Sequence, residues 1–146
     1  MVTLPSARDF LHGFGTDHYK AATLAVLGAE GELRYGGGPD RTTPANDKYW
    51  ARIAAQVVDQ RQETLRLETK RWVTTGLVYV QLFAPITDRR GQPRLDAIAE
   101  LVKNAFWTHQ NEEIEFTNAW INDNVAAEPQ WIRANVISNF AYRQFI

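Results

Sequence analysis

The 146-residue chain contains no cysteine. That excludes disulfides, a thiol nucleophile and every cysteine-based zinc or iron–sulfur site. Long apolar runs are missing too: no stretch approaches the roughly 18 uninterrupted apolar residues of a membrane-spanning helix. Residues Met1 to Phe14 lack a basic start followed by an apolar core, so no secretory signal is expected, and a cytosolic setting fits. Neither sign of charge dominates. Sixteen Lys and Arg face seventeen Asp and Glu, a net charge of −1, so the concentrated positive field of a general nucleic-acid binder is absent. What is present is 45% hydrophobic, 23% charged and 12% aromatic. That is the balance of a compact soluble protein, and it excludes a disordered chain, a collagen and a coiled coil. A single domain over residues 1–146 is expected, long enough to bury roughly 68–70% of the surface its unfolded chain exposes.

The side chains that carry common chemistries do not fall into the patterns those chemistries need. His12 and His18 are six residues apart, on different faces of a helix, whereas a two-histidine zinc helix needs a spacing of four. His109 stands alone in the sequence. Gly36-Gly37-Gly38 is followed by Pro39 and Asp40 rather than by the Lys and Ser or Thr of a phosphate loop, and Asp40 would repel a phosphate. Gly13 and Gly15 do not follow a strand, so they are no dinucleotide fingerprint. The only serines are Ser6 and Ser138, and neither sits in a nucleophile elbow. Glu112, Glu113 and Glu115 cluster beside Asn111 and His109 at a polar turn, where carboxylates stay solvated rather than working as an acid–base pair. No enzyme, metal or cofactor is expected from these residues.

Periodicity gives the organisation. Phe10, Phe14, Ala21 and Ala25 fall near one face of a helix over about Ser6–Leu27, with Ser6 as its cap and Gly28 as its stop. Gly13 and Gly15 leave a break possible, and a hairpin through Ala29–Glu32 is a second reading of the region after it. Residues 36–48 read as a long loop. Tyr49–Asp59 alternates as a strand, and Gln60–Arg71 reads as a protruding hairpin or loop. Trp72–Phe83, almost without charge, reads as a central strand buried on both faces and ended by Pro85. Arg89–Arg94 reads as a turn. Leu95, Ile98, Val102, Ala105 and Phe106 then mark the clearest amphipathic helix. Ile114–Asp123 and Trp131–Phe145 alternate as strands. Helix, strands, helix, strands is solved economically by a sheet with helices packed on one face.

That alternation leaves aromatic and polar side chains at strand positions a single core does not use. Trp50, Arg52, Gln56, Arg133, Asn135 and Arg143 form one such mixed face. Five tryptophans are many for this length, and Trp and Arg dominate the energetics of protein–protein contacts. The basic pairs Lys70-Arg71 and Arg89-Arg90 sit at loop ends. The composition favours an assembly subunit over an enzyme.

Tyr49-Trp50-Ala51-Arg52, the polar run Gln60-Arg61-Gln62, and above all Thr75-Gly76-Leu77-Val78-Tyr79-Val80-Gln81-Leu82-Phe83-Ala84-Pro85 resemble tail terminator proteins of long-tailed bacteriophages. So does the order that follows: a turn with Gly91, the helix Leu95–Val102 closing at Phe106, a strand, Pro129-Gln130-Trp131 and a long final strand. The likeness covers roughly Gly31 to Phe145 and rests on patterns of fold and packing, not on catalytic signatures. It implies an α/β fold of the α+β type. The sheet would be mixed and mostly antiparallel, with an N-terminal helix and a second amphipathic helix packed on one face. It implies a homo-hexameric ring that caps the tail tube, stops its polymerisation and joins the head connector or stopper protein. DNA would pass through the lumen without specific binding. The protein would be virion-associated, at the head-proximal end of the tail, after assembly in the host cytoplasm, with no membrane partner and no cofactor. On that reading, the mixed face would supply one ring contact. The protrusions, with Lys70 and Arg71, would reach an adjacent ring or the connector, and Arg89 and Arg90 would line a rim. Another head–tail joining or tail-tube-related protein is an alternative. A small-molecule-binding α/β dimer is an alternative of a different class, which would draw on His12, His18 and Glu112–Glu115.

Overall fold

A computed structural model describes residues 2–35, 47–64, 68–110, 113–123 and 130–146. The chain opens with α1, Leu4–Leu27. Thr3, not Ser6, is its N-cap. The Thr3 hydroxyl accepts from the Ser6 N–H at 3.3 Å, and the Ser6 hydroxyl accepts from the Thr3 N–H at 2.8 Å. The expected cap therefore sits three residues inside the helix and returns the bond, which satisfies two otherwise unpaired donors at once. Pro5 lies in the first turn, where its missing N–H costs nothing. The helix does not break at its glycines. A Cβ on Gly15 would lie 2.9 Å from the Ile53 side chain, so glycine at this position lets the helix approach the sheet. That packing outweighs the propensity penalty of about 1 kcal/mol. Gly28 ends the helix in the left-handed region, φ 77°, donating its N–H to the Leu24 carbonyl at 3.0 Å.

Five strands follow in one sheet, with α2 between the third and fourth. They are β1 Glu32–Tyr35, β2 Trp50–Gln62, β3 Arg71–Pro85, α2 Gly91–Thr108, β4 Ile114–Asn122 and β5 Trp131–Phe145. The spatial order is β1-β2-β3-β5-β4. Only β1 with β2 is parallel; the other three pairings are antiparallel. The architecture is thus α+β with a mixed, mostly antiparallel sheet and an N-terminal helix. Because β1 is parallel to β2, Ala29–Glu32 is a helix-to-strand connection and not a hairpin turn. Residues 36–46 of the expected long loop lie outside the described residues.

Of the two forms expected for Gln60–Arg71, a hairpin or a loop, the described part is a hairpin: Gln60 to Gln62 pair with Thr74 to Trp72, and the Glu63 N–H donates to the Arg71 carbonyl at 2.7 Å. Residues 65–67 of it lie outside the described set. Two further expectations are corrected. Helix α2 begins at Gly91, taking in the residues expected as a turn; Pro93 is tolerated in its first turn, where no intrahelical acceptor is lost. Finally, β3 is central but only partly buried on its second face, where Val73 and Phe83 are covered and the positions between them are not. Val78, Val80, Leu82 and Ala84 are buried, while Thr75, Leu77, Tyr79 and Gln81 are half-buried. Both helices lie on the same side of the sheet, and among the described residues no helix or strand covers the other side.

The helix side holds the main core. Leu11 and Tyr19 of α1 and Leu95, Ile98, Val102 and Phe106 of α2 pack on Ile53, Val78, Val80, Val136 and Phe140 of the sheet. Two bulges, in β2 between Val57 and Asp59 and in β4 between Phe116 and Asn118, lie level with Gly76 of β3. A side chain on Gly76 would collide with the Gln56 carbonyl and come within 2.6 Å of the Phe140 ring. The bulges raise the local twist and aim Val58 and Thr117 to the helix-free side, where both line a shallow groove of about 340 Å³ with Thr75, Leu77 and Asn139.

Candidate interaction surface

Register brings most of the singled-out side chains to the helix-free face. Trp50 pairs with Phe83, Arg52 with Gln81 and Gln56 with Leu77; Phe83 pairs with Arg133, Gln81 with Asn135 and Val73 with Arg143. Residues directly opposite one another share a face, so Trp50, Arg52, Gln56, Arg133, Asn135 and Arg143 all lie on one side, as alternation predicted. They are not one cluster. From the level of Phe83 to that of Val73 is ten residues of β3, about 33 Å.

At one end, three aromatic rings form a second small core. Trp50 stacks on Phe83 with centroids 4.0 Å apart and planes 7° apart, and Trp131 meets Trp50 edge-on at 5.7 Å. Their exposures are only 2%, 2% and 8%, although among the described residues no helix or strand covers them. Two arginines pack over them. The Arg52 guanidinium lies 5.3 Å from the Trp50 ring and 5.8 Å from that of Phe83, and Arg133 lies 5.5 Å from Phe83 on its other side. The ring faces attract the cations, and the arginine stems shield apolar surface. Among the described residues Arg52 has no hydrogen-bond or ion-pair partner. Around it, the Trp50 and Trp131 indole N–H groups, Gln81 Oε1 and Asn135 Oδ1 are buried and unpartnered.

At the far end Arg71 and Arg143 are neutralised, while Arg61, opposite Val73, is exposed. Glu63 lies 2.8 Å from Arg71 and 3.4 Å from Arg143, and Arg143 reaches Glu115 at 2.8 Å. Lys70 is exposed beside this network, and its backbone pairs with Ile146 in both directions at 2.9 Å. Gln56 is exposed midway between the two ends.

Arg89 and Arg90 are exposed at the entry to α2, off the sheet face, in a turn held by a carboxylate clip. Asp88 accepts from the Tyr49 hydroxyl at 2.5 Å, from Arg94 at 2.9 Å and from the Arg90 N–H at 2.9 Å. The Tyr49 hydrogen bond, then the Arg90 N–H and the Arg94 guanidinium, hold the Asp88 carboxyl below its usual value. Burial, with the Asp88 hydrogen bond second, pushes the Tyr49 phenol up to about 12. The histidines are packing residues. His109 sits among Phe10, Phe14 and Phe116 at 5.0–5.5 Å, His18 stacks on Phe14 at 4.4 Å and His12 on Tyr35 at 5.3 Å. Burial lowers the pKa of His109, with His18 adding to it. Of the acidic cluster, Glu115 is engaged by Arg143, and Glu112 lies outside the described residues.

Phe83 and Trp131 were not singled out from sequence, yet they sit at the centre of the arginine cluster. Phe83 was legible: it is two residues along from Gln81, and so shares the face that Gln81 would occupy. Glu63 and Glu115 were not, because their partners come from distant strands. The chain matches no protein-family model and no curated protein sequence. Among the described residues no helix is long and apolar enough to cross a membrane.

Proposed function

We propose that this chain is a structural assembly protein, the ring-forming terminator of a bacteriophage tail. It would cap the tail tube, stop its growth and present the surface that meets the head connector, with DNA passing through its lumen unbound. The observation that carries this reading is the two-sided sheet: helices on one face, and on the other half-buried arginines over aromatic rings. A closed ring is built head to tail and needs two different surfaces per chain, which such a layer plan supplies. The resemblance of Thr75–Pro85 and the following helix to tail terminators adds the particular assembly. The test is the solution mass of the purified protein by light scattering, with negative-stain images of the same fraction, alone and with tail-tube protein. A ring with a central hole, or ring closure on the tube ends, is the expected result. A chain that stays monomeric in both conditions overturns the reading, and so does tight DNA retention at physiological salt.

A further inference from the structure

The edge strands of an open sheet present main-chain groups that can pair with another chain. Among the described residues this sheet has three such stretches: β1, the part of β2 beyond its pairing with β1 at Ile53, and β4. In each, a carbonyl that points away from the sheet is already taken by a side-chain N–H. Main-chain groups alternate in direction along a strand. The Glu32 N–H donates to the Tyr49 carbonyl at 3.2 Å, so Glu32 faces β2 and the Leu33 carbonyl faces outward, where Arg34 donates to it at 2.8 Å. The same alternation, counted from Tyr49, turns the Ala55 carbonyl to the side where β1 has ended, and Arg8 of α1 donates to it at 2.9 Å. On β4 the Asn118 carbonyl accepts from the Ser138 hydroxyl of β5 at 2.8 Å, so the Ala119 carbonyl points away from β5. The Trp107 indole N–H of α2 donates to that carbonyl at 2.9 Å.

The β4 edge has the most to guard. β1 is four residues long, whereas β4 is nine. Ile114–Asn122 holds one charged residue, Glu115, and none of the lysines or prolines that commonly blunt an edge. What it has instead is the bulge at Thr117 and the tryptophan beside it. Trp107 is 61% exposed, so burial does not fix its ring. Two polar contacts do. One is the indole bond to Ala119; the other is the Lys103 ammonium, 4.1 Å from the ring centroid and itself held by Glu100 at 2.9 Å. A ring left mostly in water yet fixed over an edge carbonyl does little for the core and stands where an incoming strand would pair.

We propose that Trp107 is an edge guard: its indole closes β4 against pairing with the β4 of a second copy, as Arg8 and Arg34 close the opposite edge, and the sheet stays at five strands. The contact held off is isologous. One β4 against another, antiparallel about a two-fold axis, closes at two copies. This device is independent of the ring reading, because it acts on the edge, whatever assembly the faces build.

Trp107→Ala tests it, measured beside the unaltered chain at equal concentrations. Light scattering is expected to show a doubled mass for the variant. The Ala119 and Ile121 amides, which alternation turns outward, are expected to exchange hydrogen more slowly in the variant as concentration rises, and not in the unaltered chain. Adding Asn118→Lys, at an exposed position of β4, sets like charges across the new pairing and is expected to return the mass to that of the unaltered chain. An unchanged mass with unchanged exchange overturns the guard. So does a gain in mass that persists with Asn118→Lys and leaves the β4 amides exchanging as before, because the association then does not run through the edge. Slow, concentration-dependent exchange of these amides in the unaltered chain also overturns it, since the edge is then already in use. Thermal melts verify folding. If Trp107→Ala melts early, Trp107→Leu carries the test: it keeps apolar bulk at the position but has no N–H for the Ala119 carbonyl, and the same results support or overturn the guard.

Discussion

The two faces of this sheet are covered by different means. On the helix side Val78, Val80, Val136 and Phe140 are buried by two helices, and the contacts are mostly apolar. On the other side Trp50, Phe83 and Trp131 reach nearly the same burial, and the described side chains over them include two arginines. The first cover is part of the fold: losing it exposes a core. The second includes charged groups, and Arg52 among them bonds to no described residue. Depth of burial therefore does not distinguish a core from a contact surface. The nature of the covering groups does.

The comparison is broken most severely on the helix side. Phe106→Ala removes a ring from the junction of α1, α2 and β4, where it lies 5.0 Å from Phe14 and 4.9 Å from Phe116. Truncation of a fully buried Phe costs about 3–5 kcal/mol. Denaturant unfolding is expected to show a loss of that size, and a loss below about 1 kcal/mol would mean that the helix layer is not the stabilising cover.

Much of this layer was legible in the sequence. The 3.6-residue spacing of Leu95, Ile98, Val102 and Phe106 located α2, period two located three of the five strands, and the nearly uncharged, β-branched and aromatic run Trp72–Phe83 located a fourth. Boundaries were less legible for local reasons. Thr3 and Ser6 can each cap a helix, and only the reciprocal bonds decide between them. Gly13 and Gly15 suggest a break until Ile53 is seen against Gly15. The arginine face was legible as a set of alternating positions. The ion pairs of Arg71 and Arg143 were not, because they depend on Glu63 and Glu115 reaching across strands.

The next effect down is the clip that joins the start of β2 to α2. Tyr49→Phe removes the hydrogen bond from the phenol to Asp88. Bonds to charged groups contribute about 1.5–3 kcal/mol, and partial solvent screening brings the expectation here to about 1 kcal/mol. The Asp88 carboxyl is held below its usual value in the folded chain. Its contribution is therefore complete above the unfolded value of about 3.9 and is lost as pH falls through the lower folded value. Melting curves from pH 6 to pH 2 are expected to converge for Tyr49→Phe and the unaltered chain at the acid end. Parallel curves would mean that the bond does not set the Asp88 titration.

A gentler effect comes from His109, neutral among its phenylalanines. Its folded pKa is lowered by burial. The unfolded chain thus takes up a proton first as pH falls below about 6.5, and stability drops there. His109→Phe is expected to flatten the dependence of melting temperature on pH between 7 and 5. An unchanged slope would place the acid sensitivity elsewhere.

The smallest expected effect on stability is the most informative for the comparison. Arg52→Ala removes a guanidinium from the Trp50 and Phe83 rings but leaves the stacked rings themselves in place. Exposed cation–π contacts contribute about 0.5–1 kcal/mol, so unfolding should shift by no more than that. Assembly, if Arg52 is held for a neighbour, should fall far more than this figure allows, since the loss removes both the donors and their fixed orientation. The two readouts separate the roles of a cover and of a contact. A large stability loss with intact assembly would make the arginine layer a second core cover after all, equivalent in purpose to the helices. A small stability loss with dispersed chains would show that the sheet's two faces do different work: one holds the chain together, and the other holds chains to each other.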